Sequence, residues 1–219
     1  AQAYAWKACT LGQAMVRGYV DKPLEEIMPE FSNLMTSALS IDPNDFECHR
    51  LQCAVNTMMG DMKAALSHGK KAYDVNPNDP RILQQYGEVL LKTGKTEEGC
   101  DLTLLALEYD PIAQGQTNSD KRKSDGVFGC VLDDRPDVGL DIASGMIDRS
   151  EKVLVYSAAL AVGSSGSLES FSWLIDDLKK ADFGQIEEAI EEMGKFDVVV
   201  QSKLKEVFLD HILPLKEAA

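Results

Sequence analysis

Apolar residues recur at spacings of three and four along most of the chain, with polar residues between them, the pattern of amphipathic helices. It predicts a helix over Tyr4–Arg17, with Ala5, Ala8, Leu11 and Val16 among its apolar positions, and another over Leu24–Leu39, with Ile27, Phe31, Leu34, Met35 and Ala38. Phe46–Met59 and Lys63–Val75 predict one helical hairpin, and Pro80–Lys92 and Thr96–Tyr109 a second, with Gly60 and Gly94 at the inner turns. The small, polar run Ile112–Asn118 interrupts this rhythm and predicts a longer loop. Beyond it, Asp120–Leu132 and Val138–Ile147 read as a diverged pair with Pro136 in the turn. Lys152–Val162 and Leu168–Ala181 read as another pair, joined by Gly163–Ser167, with Ser167 able to cap the second helix. Gln185–Met193 and Asp197–Leu213 predict terminal helices, the last with Val200, Leu204, Val207, Phe208 and Ile212 on one stripe. Val153–Tyr156 and Val198–Val200 are β-branched, but each lies within a longer helical pattern, so the expected class is all-α.

Pro43, Pro77 and Pro111 stand 34 residues apart, within near copies: Ile41-Asp42-Pro43-Asn44-Asp45, Val75-Asn76-Pro77-Asn78-Asp79 and Tyr109-Asp110-Pro111. A fixed interval of this length marks a helical repeat array. With the proline placed at position 32, Gly60 and Gly94 fall at position 15, Ala65 and Gly99 at 20, Ala72 and Ala106 at 27, and Gly87 at 8. Small residues recur where two helices approach closely, glycine suits the turn between them, and proline ends the second helix.

These residues resemble the tetratricopeptide repeat, most clearly over 46–79 and 80–111, with diverged units over 1–45 and 118–181 and capping helices over 185–213. Departures from the pattern are His49 or Leu83 at position 4, Cys53 at position 8 and Gly99 at position 20. The resemblance implies one domain over 1–219: a right-handed α-solenoid of antiparallel helix pairs, roughly ten to twelve helices in all, with a C-terminal capping helix. It also implies that a protein or peptide partner lies in a concave groove lined by the first helix of each pair. The groove positions here are Glu47, Arg50, Ala54, Thr57 and Met58, then Arg81, Gln84, Glu88, Leu91 and Lys92. The set is mixed in charge and partly apolar, which suits a peptide or helix. Position 9 is Ala54 or Glu88, so the carboxylate clamp of chaperone-binding members is not carried over. Charge reversal at Arg50 or Arg81 is expected to weaken binding with thermal stability nearly unchanged.

Net charge is −14. From Asp133 onward there are 18 acidic and 9 basic residues, and before it 18 and 13, so the second part is the more acidic. An acidic surface repels phosphate backbones and argues against nucleic-acid binding. No apolar stretch reaches the ~18 residues of a membrane span. Five cysteines, Cys9, Cys48, Cys53, Cys100 and Cys130, are scattered and odd in number, which fits a reducing, cytoplasmic setting without disulfides.

Candidate chemistry is sparse. His49 and Cys53 lie four apart beside Cys48, but a zinc site wants four ligands in paired clusters, and His68 and His211 are distant in sequence. A Cys–His nucleophile lacks any local signature. Gly163–Gly166 precedes a helix as an anion loop would, without the Gly-Lys-Ser/Thr ending. Glu187, Glu188, Glu191 and Glu192 suit a solvated helix face, and Lys121-Arg122-Lys123 is too short for a nucleic-acid footprint. Met58, Met59 and Met62 form either a soft contact surface or core filling. No catalytic residue, metal or cofactor is assigned.

The chain starts mid-helix without methionine, and its layout is similar to repeat regions that follow a bacterial class III adenylate cyclase or a winged-helix transcriptional regulator. The expected function is therefore a non-catalytic protein-binding module, the regulatory part of a larger signalling or transcription-regulating protein. A free-standing scaffold that forms a homodimer is the alternative, followed by an enzyme with an unrecognised site.

Overall fold

The computed structural model describes residues 1–111, 120–184, 186–193 and 197–217, with only the backbone of Val16, Leu24, Ala189 and Glu192. Among these residues every regular element is helical. In chain order they are α1 (Gln2–Val16), α2 (Leu24–Ile41), α3 (Phe46–Met59), α4 (Met62–Val75), α5 (Pro80–Lys92), α6 (Thr96–Tyr109), α7 (Lys121–Leu132), α8 (Pro136–Ser144), α9 (Glu151–Ser165), α10 (Ser172–Lys180), α11 (Ile186–Met193) and α12 (Val198–Val207). A π-helical segment (Phe208–Ile212) and α13 (Leu213–Glu217) continue α12. The loop expected over Ile112–Asn118 lies outside the described residues. No described helix is long and apolar enough to cross a membrane. The chain divides into two compact units, 1–89 and 90–219, the boundary falling inside α5.

In the first unit α1 packs on α2, α3 on α4, and α1 and α2 both touch α3. Ala5 and Ala8 of α1, Phe31, Leu34, Met35 and Ala38 of α2, and Cys48 and Leu51 of α3 form one apolar cluster. Cys53, Ala65 and Val89 form another. Asp45 caps α3 by accepting from the Cys48 N–H at 2.8 Å, and Asp79 accepts from the Arg81 N–H at 2.9 Å at the start of α5. Asp45 and Asp79, each two residues after a proline of the 34-residue spacing, thus cap the next helix, each cap worth about 1 kcal/mol.

In the second unit α6 packs on α7, α7 on α8 and α8 on α9, and α9 also meets α7, α10, α11 and α12. α9 explains its own position. Val153, Leu154, Val155, Ala158, Ala159, Leu160 and Ala161 bury it on nearly every side, as an all-round apolar helix requires. Its one buried hydroxyl, on Ser157, donates to the Val153 carbonyl at 2.7 Å. Leu204, Val207, Phe208 and Ile212 of the last helix join the same core, with Val200 packed against it. The expected terminal stripe is therefore the buried face.

Several boundaries differ from the sequence expectation, and α8 ends at Ser144, three residues before the expected Ile147. α9 runs through Gly163 to Ser165 and ends at Gly166, whose φ is +75°, so the turn begins three residues later. α10 starts at Ser172 behind Phe171, and Ser167 instead accepts from the Glu169 N–H in the turn. Pro136 is the first residue of α8 and not part of the turn, because its fixed φ suits a helix start. The π segment was not expected either. It ends two residues before Pro214, which has no N–H to return to the helix, and a local change of bonding accommodates that loss.

One local geometry recurs in both units. Gly18, Gly60, Gly94 and Asp134 all have positive φ, at +68°, +79°, +84° and +52°. After each, the next residue's N–H bonds back across the helix end: Tyr19 to Ala14 at 2.8 Å, and Asp61 to Asn56, Lys95 to Leu90 and Arg135 to Cys130 at 2.9 Å each. This is the Schellman closure of a helix C-terminus. In the last three cases the following helix begins two residues later, at Met62, Thr96 and Pro136. Counted from Gly94, Asp134 comes 40 residues on and not 34, because the connection before α7 is longer than that before α5.

Candidate functional site

The sequence points to the first helix of each pair, and in the first unit α1, α3 and α5 are joined by polar contacts. Glu47, in the first turn of α3, is 1% exposed. Arg50, one turn along, grips its carboxylate with two bonds, from Nε at 3.0 Å and from Nη2 at 2.5 Å. Arg81 of α5 reaches the same carboxylate at 3.4 Å and holds Asp79 through two bonds of 3.1 and 2.6 Å. Arg50 also touches Cys9 Sγ of α1 at 3.8 Å, and the Arg81 guanidinium lies 5.7 Å from the centre of the Trp6 ring. Bidentate arginine–carboxylate pairs of this kind are strong and directional.

The electrostatics follow from the pairing. Burial alone would lower the Arg50 pKa, but Glu47 outweighs it and raises it. Burial would raise that of Asp79, but the bonds from Arg81 bring it below the usual carboxylate range. Two cations and two anions therefore neutralise one another inside the unit. Neither arginine is a spare cation for a partner's carboxylate.

The predicted groove residues divide into three groups. Glu47 is buried, and Arg50 is largely so with a side chain 13% exposed, so both serve the interior of the first unit. Charge reversal at Arg50 would set two carboxylates together, and the expectation of unchanged stability does not follow from this geometry. Ala54, Thr57, Arg81, Gln84 and Glu88 are half-buried, Thr57 donating to the Cys53 carbonyl at 2.8 Å. Met58 is 54% exposed. Leu91 belongs to the core of the second unit, and Lys92 is half-buried there. Trp6, half-exposed beside Arg81, was missed, because α1 lies outside the two clear repeats.

The remaining candidates become specific. Cys48 and Cys53 are fully buried, and burial pushes each thiol pKa up to about 12, which keeps them protonated and unreactive. His68, distant in sequence, stands against His49, with Nδ1 atoms 2.9 Å apart. Among the described residues no group of three or more His, Cys, Asp or Glu is arranged to hold a metal ion. Gly163 lies inside α9, and a side-chain carbon there would sit 3.0 Å from Lys203 Nζ, so it marks a close approach of α12. Glu187, Glu188 and Glu191 face solvent while Ile186, Ile190 and Met193 are buried. The basic run is spent internally: Lys121 on Asp125, Arg122 on Asp110 and Lys123 on Asp120. Asp120 is 2% exposed, and its Oδ2 accepts from the Ile147 and Asp148 N–H groups at 2.8 Å each. Burial would raise its pKa, but these bonds and Lys123 bring it down. No family model matches the chain, and no curated protein matches it in sequence.

Proposed function

We propose that the chain is a tetratricopeptide-like array, a right-handed α-solenoid whose first-helix face binds a peptide or protein segment and carries out no catalysis. The recurrent Schellman turn after Gly18, Gly60, Gly94 and Asp134 supports the array, since each closes one helix before the next. The observation that carries the binding role is the α1–α3–α5 linkage through Arg50 and Arg81, with Trp6 and Met58 left exposed on two of those helices. A tryptophan gives a large, rigid contact area at small entropic cost, and a methionine adapts to varied ligands. Because the arginines are already paired, the preferred ligand is an apolar or uncharged segment and not a free C-terminal carboxylate.

A displayed-peptide library selected on the purified chain tests this. Selected peptides should lose binding in Trp6→Ala and Met58→Ala and keep it in Lys70→Ala, whose position on α4 is exposed. Peptides indifferent to Trp6 and Met58 would move the site off this face. The wider proposal, a regulatory segment of a bacterial signalling or transcription-regulating protein, is tested by reading the coding sequence upstream of Ala1.

A further inference from the structure

His49 is 3% exposed and makes two contacts through its ring. Nε2 lies 3.0 Å from the Pro43 carbonyl oxygen, in the turn between α2 and α3. Nδ1 lies 2.9 Å from Nδ1 of His68 on α4, with ring centres 5.1 Å apart. A carbonyl can only accept, so His49 Nε2 carries the hydrogen. A neutral imidazole has a single N–H, so His49 Nδ1 is a bare acceptor, and His68 Nδ1 must donate to it. Both tautomers are thereby fixed by one backbone carbonyl.

Proton counting then sets a limit. One added proton goes to His68 Nε2. The His68 Nδ1–H now belongs to a cation, and its bond to His49 strengthens. A second proton has to go to His49 Nδ1, which would put two N–H groups head-on across 2.9 Å. We propose that His49 and His68 form a proton-operated latch. It holds the α2–α3 turn against α4 while the pair carries at most one added proton, and it opens when both rings are charged.

The surroundings agree in sign. Burial pushes the pKa of both rings below the ordinary histidine value. Lys71 on α4 adds to this for both, while Asp42 and Asp45 of the turn partly oppose it at His49. Gln2 of α1 bonds Asp45 and engages one of those carboxylates. A depressed pKa means that the folded protein binds fewer protons than the unfolded chain. The latch's stabilisation is therefore complete above about pH 6.5 and is lost as pH falls below it toward the folded values.

Urea unfolding of the full chain and of His68→Gln, at pH 7.5, 6.5 and 5.5, tests the latch. Each proton taken up by the unfolded chain and refused by the folded one raises the unfolding constant about tenfold per pH unit. In His68→Gln the new amide can turn its oxygen to His49 Nδ1 and accept from it, so the variant takes up its one proton here while the wild type refuses one of two, and between pH 6.5 and 5.5 the wild-type constant should rise roughly fivefold more. His211 and the carboxylates are common to both and drop out of the comparison. Equal slopes would overturn the latch. Should His68→Gln fail to fold, imidazole nitrogen NMR of the wild type at pH 7.5 decides. A hydrogen on His68 Nδ1 and none on His49 Nδ1 is expected, and the reverse assignment for His49 overturns the proposal.

Discussion

The two units are held together by different means. The second has one continuous apolar core around α9, joined by every helix from α7 to the C-terminal one. Its buried charges, Asp120 and Arg122, lie at the start of α7. The first unit has smaller apolar clusters and places Asp45, Glu47 and His49 within the first turn of α3 and its cap, all buried. Apolar burial is non-directional and tolerates drift in sequence, whereas a buried carboxylate requires its named partners. The second unit should therefore respond to lost volume and the first to lost partners.

The largest effect is expected from Leu160→Ala on α9. Leu160 is 2% exposed and packs where α8 comes closest, so truncation should cost about 2–5 kcal/mol in urea unfolding. A smaller cost is expected at Glu47. Breaking a buried ion pair costs about 3–5 kcal/mol when the remaining charge is trapped. Glu47→Gln keeps shape and one acceptor, and Arg81, with a side chain 39% exposed, keeps Asp79, so the cost should be about 2 kcal/mol. If the trapped charge is the cause, Glu47→Gln combined with Arg50→Met should recover part of it. A double variant that simply adds the two losses would remove the contrast between the units.

The contrast also accounts for what was legible in the sequence. Helices with apolar stripes, α2 through α6, lie within two residues of their predicted bounds, because there the stripe and the buried face coincide. α9 has almost no polar face, so its end at Gly166 had to be set by the left-handed cap and was placed too early. The polar cluster was legible as residues but not as partners. Glu47, Arg50 and Arg81 stand at predicted groove positions, and only tertiary structure shows that they spend their charge on one another. His68 lies nineteen residues from His49, and the antiparallel return of α4 along α3 brings the rings together. The recurrence of the same turn after residue 111 was not legible either. The connection before α7 is longer, and the turn carries Asp134 where the earlier turns carry glycine.

Gly139 is the next sharpening of the comparison. It falls 40 residues after Gly99, the same displacement that separates Asp134 from Gly94, and it stands where α8 packs against both α7 and α9. A methyl group there would lie 2.5 Å from Leu160 Cδ1 and 2.9 Å from Cys130 Cβ. The leucine tip can turn aside, but the cysteine Cβ is fixed to its backbone. Overpacking should cost about 1–3 kcal/mol, offset by about 1 kcal/mol of helix propensity, for a net loss of about 1 kcal/mol in Gly139→Ala. A gain in melting temperature would mean that α7, α8 and α9 separate more readily than the continuous core implies.

The smallest effect concerns the turn that the two units share. Asp134 holds φ at +52°, a region costing a side chain-bearing residue about 1–2 kcal/mol, though Asp tolerates it better than most. Its 3.7 Å contact with Lys203 is no counterweight, since the Asp134 side chain is 86% exposed. Asp134→Gly relieves the strain but gives the unfolded chain more freedom, worth about 0.4–1 kcal/mol. The net should be a gain of about 0.5 kcal/mol. The mirror substitution in the first unit, Gly60→Asp, should lose about as much, because nothing lies within 4 Å of the added carbon and strain is the only cost. Opposite signs in paired melting curves would show that one turn serves both positions. Equal signs would separate Asp134 from Gly60 and leave that turn of the second unit unlike the turns of the first.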